Sequence, residues 1–381
     1  MSGETLDVVI LGAGPAGCAT AIALRERGRT VALLERAGAP LAKVGEHLRP
    51  EAMAELRKLG LSPQQLGAVA RESPGIRVAW GSPELRERDY LFDPFGSGWN
   101  VLRAELEAAL VDRALQCGGV LHRPVNALGV KRDADDAWLV GWPGAPSPGG
   151  LRARWVVDAT GRRAWLASQL GARRERADTL VALVGRLRPA RVLSDADRLL
   201  VESAPEGWWY SVGLPDESLV VAYLTDSDLL AARHGDPARA FGECLPHAPH
   251  TALRAASTSP PASVSVHGAE TAWLAPAQGP GWIAVGDSAW SSDPLAGIGV
   301  SEALASAREA AREIDGALER SDGEASEDHA RAHRERVAAA QAGRLETYRQ
   351  ELRWAERPFW KRRHADPGAP RRGAGVGELS A

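Results

Sequence analysis

The first 36 residues contain two short apolar runs separated by a helical pattern. Leu6–Leu11 is an apolar run typical of a strand that is buried on both faces, and residues 30–34 repeat it. Between the two runs, the alanine-rich residues 15–27 predict a helix that is closed by Gly28. Strand, helix and strand in this order predict a βαβ unit in a parallel sheet.

Beyond this unit the hydrophobic period alternates between helix and strand. Apolar side chains recur at helical spacing over residues 99–118 and predict a helix there. Between about 171 and 266 the runs are short and alternating, which is typical of antiparallel strands, and a polar turn joins 208–214 to 219–224 as in a hairpin. Residues 300–318 predict a further helix, and a long charged amphipathic helix follows it.

Composition excludes several classes of protein. The chain is 44% hydrophobic and 25% charged, as in globular proteins, and its net charge of −3 gives no electrostatic reason to expect a nucleic acid partner. No apolar stretch is long enough for a membrane span, and the acidic start MSGETLDVVI is unlike a secretory signal. Cys18, Cys117 and Cys244 stand far apart, so we expect no metal site and a reducing, cytoplasmic location.

The first strand-to-helix turn carries a GxGxxG pattern. Gly12 permits the tight turn, Gly14 lets the backbone approach a pyrophosphate, and Gly17 lets the helix pack closely on the strand. The free N–H groups at the helix N-terminus favour phosphate, and an acid after the second strand can bind a ribose hydroxyl. The predicted dinucleotide contacts in this unit are Gly12, Gly14, Pro15, Ala16, Gly17, Glu35 and Arg36.

Three separated motifs together point to a family. They are the glycine turn, the segment Asp158-Ala159-Thr160-Gly161, and Gly286-Asp287 with the proline and glycines of residues 294–299. Their order resembles the FAD-dependent aromatic hydroxylases and their relatives, the flavin-dependent tryptophan halogenases. The resemblance implies an α/β fold: a Rossmann-like FAD-binding domain of the p-hydroxybenzoate hydroxylase type, an inserted antiparallel-sheet substrate domain, and a helical C-terminal extension.

The resemblance also implies domain boundaries and further cofactor contacts. The expected boundaries are 1–75, 99–170 and 273–320 for the FAD-binding parts, 76–98 for strands of the substrate domain, 171–272 for the substrate domain itself, 321–365 for the helical extension and 366–381 for a disordered tail. The additional expected FAD contacts are Gly45, Arg103, Asp158, Gly286, Asp287, Pro294, Gly297, Ile298 and Gly299. A carboxylate such as Asp287 can accept hydrogen bonds from ribitol, and a helix N-terminus after Gly297 can stabilise negative charge on the reduced ring.

A closer resemblance concerns the aromatic segments. The chain has 13 tryptophans against 4 tyrosines and 4 phenylalanines. Several of them stand in segments similar to one halogenase-related branch, whose flavoproteins oxidise tryptophan side chains while quinone cofactors are built. Those segments are residues 45–50, 79–82, 98–99, 207–211, 351–354 and 358–360. The expected substrate-lining residues are Trp80, Trp208, Trp209 and Tyr210.

Departures from the halogenase pattern favour hydroxylation. Halogenases need a lysine for the hypohalous species, whereas Arg77 stands at the similar position, and an arginine stays protonated. Tyr210 stands where the second tryptophan of the halogenase stretch would fall, and Ala296 follows Leu295 where halogenases carry a hydroxyl.

We therefore expect an FAD-dependent monooxygenase that hydroxylates an aromatic, indole-type substrate with O₂ through a flavin C4a-hydroperoxide. The substrate is an aromatic small molecule or a tryptophan-bearing peptide or protein client. Only one GxGxxG occurs, so reducing equivalents come from NAD(P)H directly or from a separate flavin reductase. Candidate acid–base residues are Glu46, His47 and Arg77, with Lys43 on the same loop as the first two. The alternatives are a halogenase, a non-oxygenating FAD reductase or dehydrogenase, and a flavin-binding maturation partner.

Overall fold

The computed structural model describes residues 5–39, 44–126, 128–147, 149–189, 195–232, 236–256, 258, 261–320 and 323–365. The strands are β1 Leu6–Leu11, β2 Val31–Leu34, β3 His47–Leu48, β4 Ala70–Ser73, β5 Gly75–Ala79, β6 Arg86–Asp89, β7 Gly98–Val101, β8 Val120–His122, β9 Gly129–Arg132, β10 Trp138–Gly141, β11 Leu151–Asp158, β12 Arg173–Arg176, β13 Leu180–Leu187, β14 Leu199–Ala204, β15 Gly207–Gly213, β16 Leu219–Asp226, β17 Val264–Gly268, β18 Ala272–Ala275, β19 Gln278–Gly279, β20 Trp282–Ala284 and β21 Trp290–Ser291. The helices are α1 Pro15–Arg25, α2 Pro50–Lys58, α3 Pro63–Leu66, α4 Arg103–Gln116, α5 Trp165–Gln169, α6 Ser227–Ala232, α7 Pro237–Cys244, α8 Pro249–Ala255, α9 Gly299–Arg320, α10 Glu327–Arg349 and α11 Pro358–His364.

A mostly parallel sheet forms the nucleotide-binding half. Its strands follow the order β19-β20-β11-β1-β2-β8, with β10 and β9 added antiparallel beside β11. β1 pairs in parallel with both β11 and β2, which brings the chain's first and middle segments side by side. The predicted βαβ unit is therefore present, and the carboxyl ends of its strands meet at one edge.

Helices α1 and α9 cover one face of this sheet. The small residues of α1 are almost entirely buried, so the helix lies close to both β1 and α9. The apolar face of α9 packs into the same core through Leu304, Ile314 and Leu318. Because a segment near the end of the chain completes the first unit, the nucleotide-binding half is built from discontinuous parts, as the resemblance implied.

A second, mainly antiparallel sheet forms the other half. Its order is β17-β13-β16-β15-β14-β5-β6, and β5 joins β14 in parallel. The predicted hairpin is β15 and β16, closed with Gly213 opposite Leu219. One face packs against α7 and α8, and the other against α10 and α11. Successive residues of a strand point to opposite faces of this sheet, so each side chain packs in one of two separate hydrophobic cores.

One predicted helix is shorter than expected. The predicted helix over 99–118 begins only at Arg103, because Gly98–Val101 is a strand that pairs with β3 and β4. The predicted tail at 366–381 and Lys43 lie outside the described residues. Among the described residues, no helix combines the length and apolarity that a membrane crossing requires.

Candidate functional site

A cavity of about 850 Å³ lies between the two halves. One end is lined by the glycine turn after β1 and by the end of β2, and the other by side chains of β14, β15 and β16. The lining includes these predicted site residues: Gly12, Gly14, Pro15, Ala16, Glu35, Arg36, Gly45, Glu46, His47, Arg103, Trp208, Tyr210, Asp287, Pro294, Gly297 and Gly299. The remaining predicted residues are not part of this lining: Gly17, Arg77, Trp80, Asp158, Trp209, Gly286 and Ile298.

The glycine turn is too tight for side chains. Gly12 has φ +108°, and a Cβ there would stand 2.3 Å from the carbonyl oxygen of Ala159. A Cβ on Gly17 would stand 1.9 Å from the carbonyl oxygen of Gly12. The turn therefore brings the N-terminus of α1, which starts at Pro15, directly to the cavity, and its N–H groups and positive dipole end favour a phosphate there.

The end of β2 supplies an oriented carboxylate. Glu35 accepts hydrogen bonds from the N–H of Ala13 and from the N–H of Ala37, each at 2.8 Å. These two bonds fix the carboxylate between the glycine turn and the next loop while the residue still lines the cavity. The arrangement suits acceptance of a ribose hydroxyl, as the sequence predicted for this position.

The described lining carries five arginines and four carboxylates. The arginines are Arg36, Arg103, Arg123, Arg162 and Arg163, and the carboxylates are Glu35, Glu46, Glu107 and Asp287. Arg103 starts α4, is 9% exposed, and forms a buried ion pair with Glu107 at 3.0 Å. Its Nε is buried and makes no hydrogen bond within the described part of the chain. The residues therefore fit an anionic ligand such as a diphosphate, which guanidinium groups bind well.

The turn after β20 is held by contacts with α1, with β12 and with Arg162. A Cβ on Gly286, where φ is +57°, would stand 2.7 Å from Cβ of Ala16, so the turn packs tightly on α1. Arg174 of β12 donates to the carbonyl oxygens of Asp287 and Ser288 at 3.2 Å. Arg162 lies 3.7 Å from the Asp287 carboxylate. These contacts leave Asp287 in the lining, although Gly286 itself does not reach it.

A second helix N-terminus faces the cavity at α9. Asp293 is 2% exposed and accepts the N–H of Leu295 at 3.0 Å, which caps the single turn Pro294–Ala296. Gly297 has φ +64° and lets the chain turn into α9. Gly297 and Gly299 line the cavity, so the positive end of the helix dipole is directed there.

Asp158 supports the site without lining it. It is completely buried, accepts the hydroxyls of Thr160 and Ser288, and accepts the N–H of Ala167 at 2.9 Å. Its carboxylate oxygens are therefore committed to joining the end of β11 to the turn after β20. The structure gives Asp158 this role in place of the direct cofactor contact that the sequence predicted.

Glu46 and Tyr210 lie together in the wall. Burial raises the pKa of the Glu46 carboxyl, against the opposing effect of its own backbone hydrogen bonding and of Arg103. Burial, and then the negative charge of Glu46, raise the pKa of Tyr210 well above its ordinary value. Both residues line the cavity, and the burial of Glu46 favours retention of its proton.

His47 is held in a neutral network. Its Nδ1 lies 2.8 Å from Oδ1 of Asn100, and its Nε2 lies 3.2 Å from the hydroxyl of Tyr90. Because the Asn100 amide nitrogen donates to the carbonyl of Asp197, Nδ1 donates to Asn100 and Nε2 accepts from Tyr90. Burial lowers the pKa of His47 to about 4. His47 is therefore neutral at pH 7, which argues against the protonated donor that the sequence suggested.

Strand alternation turns two predicted residues, Arg77 and Trp209, away from the cavity. Arg77 pairs with Leu200 of β14, whereas Leu199 and Val201 line the cavity. Its guanidinium instead contacts Glu87 and Asp195, each within 2.8 Å. The expectation that Arg77 faces the flavin is thus wrong, since it occupies the other face of the sheet.

Of the adjacent tryptophans on β15, Trp208 lines the cavity and Trp209 does not. Trp209 stacks on Tyr223 of β16, with ring centroids 4.6 Å apart, in the core under α7. Trp80 lies behind Trp208 and donates its indole N–H to the carbonyl of Thr347 at 2.9 Å. Only one of these three rings therefore belongs to the cavity wall.

Sequence reasoning missed a buried connection from α10. The Trp208 indole N–H donates to the Tyr348 hydroxyl at 3.0 Å, and that hydroxyl donates to Oδ2 of Asp293 at 2.9 Å. Tyr348 is buried on α10, and no sequence pattern indicates which residues it meets. Burial raises the pKa of Asp293, and the charge of Asp178 adds to this effect.

Comparisons with known proteins give several matches. A family model described as "FAD binding domain" matches residues 5–344. The putative FAD-dependent oxidoreductase LodB of Marinomonas mediterranea is 27% identical over 369 residues, which cover 95% of this chain and 98% of LodB. The structure of QhpG, a peptidyl tryptophan dihydroxylase essential for tryptophylquinone cofactor biogenesis, has a TM-score of 0.72 and 26% identity, covering 96% of this chain and 80% of QhpG. The myxobacterial chondrochloren halogenase CndH has a TM-score of 0.82 at 22% identity, covering 96% of this chain and 87% of CndH, and is alike in fold.

Proposed function

Because the chain belongs to the FAD binding domain family, within the superfamily of FAD-dependent aromatic hydroxylases and halogenases, we propose that it is a monooxygenase that hydroxylates an indole. The substrate is a tryptophan side chain in a peptide or protein client. The likeness to LodB and QhpG over almost the whole chain supports this choice, since QhpG is described as a peptidyl tryptophan dihydroxylase. The cytoplasmic location expected from the cysteines stays a prediction.

The observation that carries the proposal is the composition of the cavity wall. On the side of the second sheet the described lining is mostly apolar and aromatic, with Trp208, Tyr210 and Leu224 on one face of β15 and β16, and it includes one polar ring, His267 of β17. None of the described lining residues is a lysine. An apolar wall of this kind suits an aromatic ring. The hypohalous chemistry of halogenases, by contrast, needs an amine that this described wall does not offer.

The residues of the chain have separate tasks in this reaction. FAD, when bound, supplies the electrons and the activation of O₂. Glu35 and the N-terminus of α1 hold the nucleotide part, while the N-terminus of α9, reached through Gly297 and Gly299, favours negative charge at the reduced ring. Glu46 holds the proton that an oxygen-transfer step requires, because burial disfavours its charged form. Reduced flavin comes from NAD(P)H or from a separate flavin reductase.

A competition between bromide and oxygen chemistry tests the proposal. The protein is supplied with chemically reduced FAD, O₂, bromide and a tryptophan-containing peptide, and products are resolved by mass spectrometry. The proposal predicts peptide that carries added oxygen and no bromine. Brominated peptide would establish the halogenase alternative, and flavin reoxidation coupled to a substrate without O₂ would establish the reductase alternative.

A further inference from the structure

The tryptophan-rich composition has a spatial counterpart beside the cavity. Trp208 in the cavity wall lies edge-on to Trp80, with ring centroids 6.4 Å apart. Trp80 lies 5.3 Å from Trp360, and Trp360 lies 6.0 Å from Trp354. Tyr348 fills the angle between them, 5.7 Å from Trp80 and 6.0 Å from Trp360. These five rings form one continuous series, here called the ring series.

The ring series runs from the cavity to the surface. Trp208 is 1% exposed and lines the cavity, and Trp360 is completely buried. Trp354 at the far end is partly exposed, with the guanidinium of Arg353 4.3 Å from its ring centroid. That guanidinium also forms an ion pair with Glu351 at 2.6 Å, so its charge is largely neutralised. The ring series therefore connects the cavity to the protein surface through neighbouring rings.

Three indole N–H groups of the ring series have oxygen acceptors, as the buried Trp138 outside the series also does. Trp208, Trp80 and Trp360 donate their N–H groups to oxygen acceptors at 2.9–3.0 Å. In contrast, the indole nitrogens of Trp99, Trp209 and Trp290 are buried without a hydrogen-bond partner among the described residues. An oxidised indole is much more acidic than a neutral one, so an acceptor on the N–H stabilises the oxidised ring.

Tyr348 has an acceptor that can take its proton. Its hydroxyl donates to Oδ2 of Asp293 at 2.9 Å, and both groups are buried. A tyrosine can lose an electron at moderate potential only if its proton leaves at the same time. Burial raises the pKa of Asp293, which favours uptake of that proton.

We propose that the ring series is an electron path. Through it, a reductant at the surface supplies electrons to one-electron oxidants in the cavity. A hydroxyl radical, formed when reduced flavin and its reductant pass three electrons and three protons to O₂ and one water is released, takes one electron from Trp208 and becomes hydroxide. Trp80, Trp360 and Trp354 in turn pass one electron towards Trp208, so each ring is oxidised once and then reduced again. A thiol of low molecular weight, such as glutathione, gives one electron to Trp354 and becomes a thiyl radical, and the proton that it releases neutralises the hydroxide. The path requires bound FAD but not the hydroxylation proposed above.

Light-driven flavin reduction tests the path separately from catalysis. Protein loaded with FAD is illuminated with blue light without O₂ in the presence of glutathione, and bleaching of the flavin absorbance is followed. Excited flavin takes an electron from Trp208, and the ring series supplies the next one from outside. We expect Trp360→Phe and Trp354→Phe to slow the bleaching severalfold. Trp209→Phe is the matched control, because it removes an equally buried indole on the other face of the same strand.

The outcomes separate the path from the cofactor site. Bound FAD is first quantified in every variant, so a loss of cofactor, which would contradict the FAD site, is not mistaken for a broken path. Trp354→Phe is the least disruptive variant, since this ring is only partly buried. Samples of the unaltered protein frozen under light should also show a tryptophan radical by electron paramagnetic resonance. Equal bleaching in Trp354→Phe, Trp360→Phe and the unaltered protein, or equal slowing by Trp209→Phe, would overturn the proposal.

Discussion

The neutral state of His47 predicts a specific loss of stability in acid. Replacement of this residue in His47→Gln removes the titrating group while keeping a side chain that can bond to Asn100. Burial lowers the pKa of His47 from 6.5 to about 4 in the folded protein. Between these two values the unfolded chain binds a proton that the folded chain does not, so the free energy of unfolding falls as pH falls.

The magnitude follows from the difference in pKa. At roughly 1.36 kcal/mol per unit, the shift corresponds to about 3 kcal/mol that is present above pH 6.5 and lost on approach to pH 4. Urea unfolding at a series of pH values measures it. The unaltered protein should lose about 3 kcal/mol more than His47→Gln over this interval. His247→Gln, which removes an exposed histidine, should follow the unaltered protein. Parallel profiles for the unaltered protein and His47→Gln would refute the reasoning.

Further substitutions test other parts of the site. Gly12→Ala places a Cβ 2.3 Å from a backbone oxygen at φ +108°, so we expect at least about 1–3 kcal/mol of strain and purification without flavin colour. Trp208→Ala and Trp209→Ala should each cost about 3–5 kcal/mol in thermal unfolding, but only Trp208→Ala should also change the substrate KM, because only Trp208 lines the cavity. Glu46→Gln should slow single-turnover product formation about 100-fold by removing the proton carrier, whereas Glu87→Gln, at an exposed carboxylate, should leave the rate unchanged.

The expected family, enzyme class and fold are confirmed, and the reason is that their signals are local. A strand and a helix can meet this closely only if residues 12 and 17 are glycines. The glycine pattern in the sequence therefore predicts the geometry of the turn directly. The hairpin of β15 and β16 likewise follows from alternation and a polar turn.

The side chains around the substrate end were harder to place because their positions depend on register between distant strands. The pairing of β5 with β14 puts Arg77 opposite Leu200, so its side chain lies on the face of the sheet that is turned away from the cavity. Asp158 has a structural role because the hydroxyl of Ser288, which is distant in sequence, donates a hydrogen bond to one of its carboxylate oxygens. The contact of Tyr348 with Trp208 joins residues on separate elements, and nothing in either local sequence indicates it.

Isotope-labelled O₂ shows whether oxygen is transferred to an indole, as proposed for this flavoprotein. The protein, reduced FAD and a tryptophan-containing peptide are incubated under labelled O₂, and the peptide is analysed by mass spectrometry. We expect one or two labelled oxygen atoms on the tryptophan side chain. An unmodified tryptophan, or added oxygen that carries no label and therefore comes from water, would contradict the proposal.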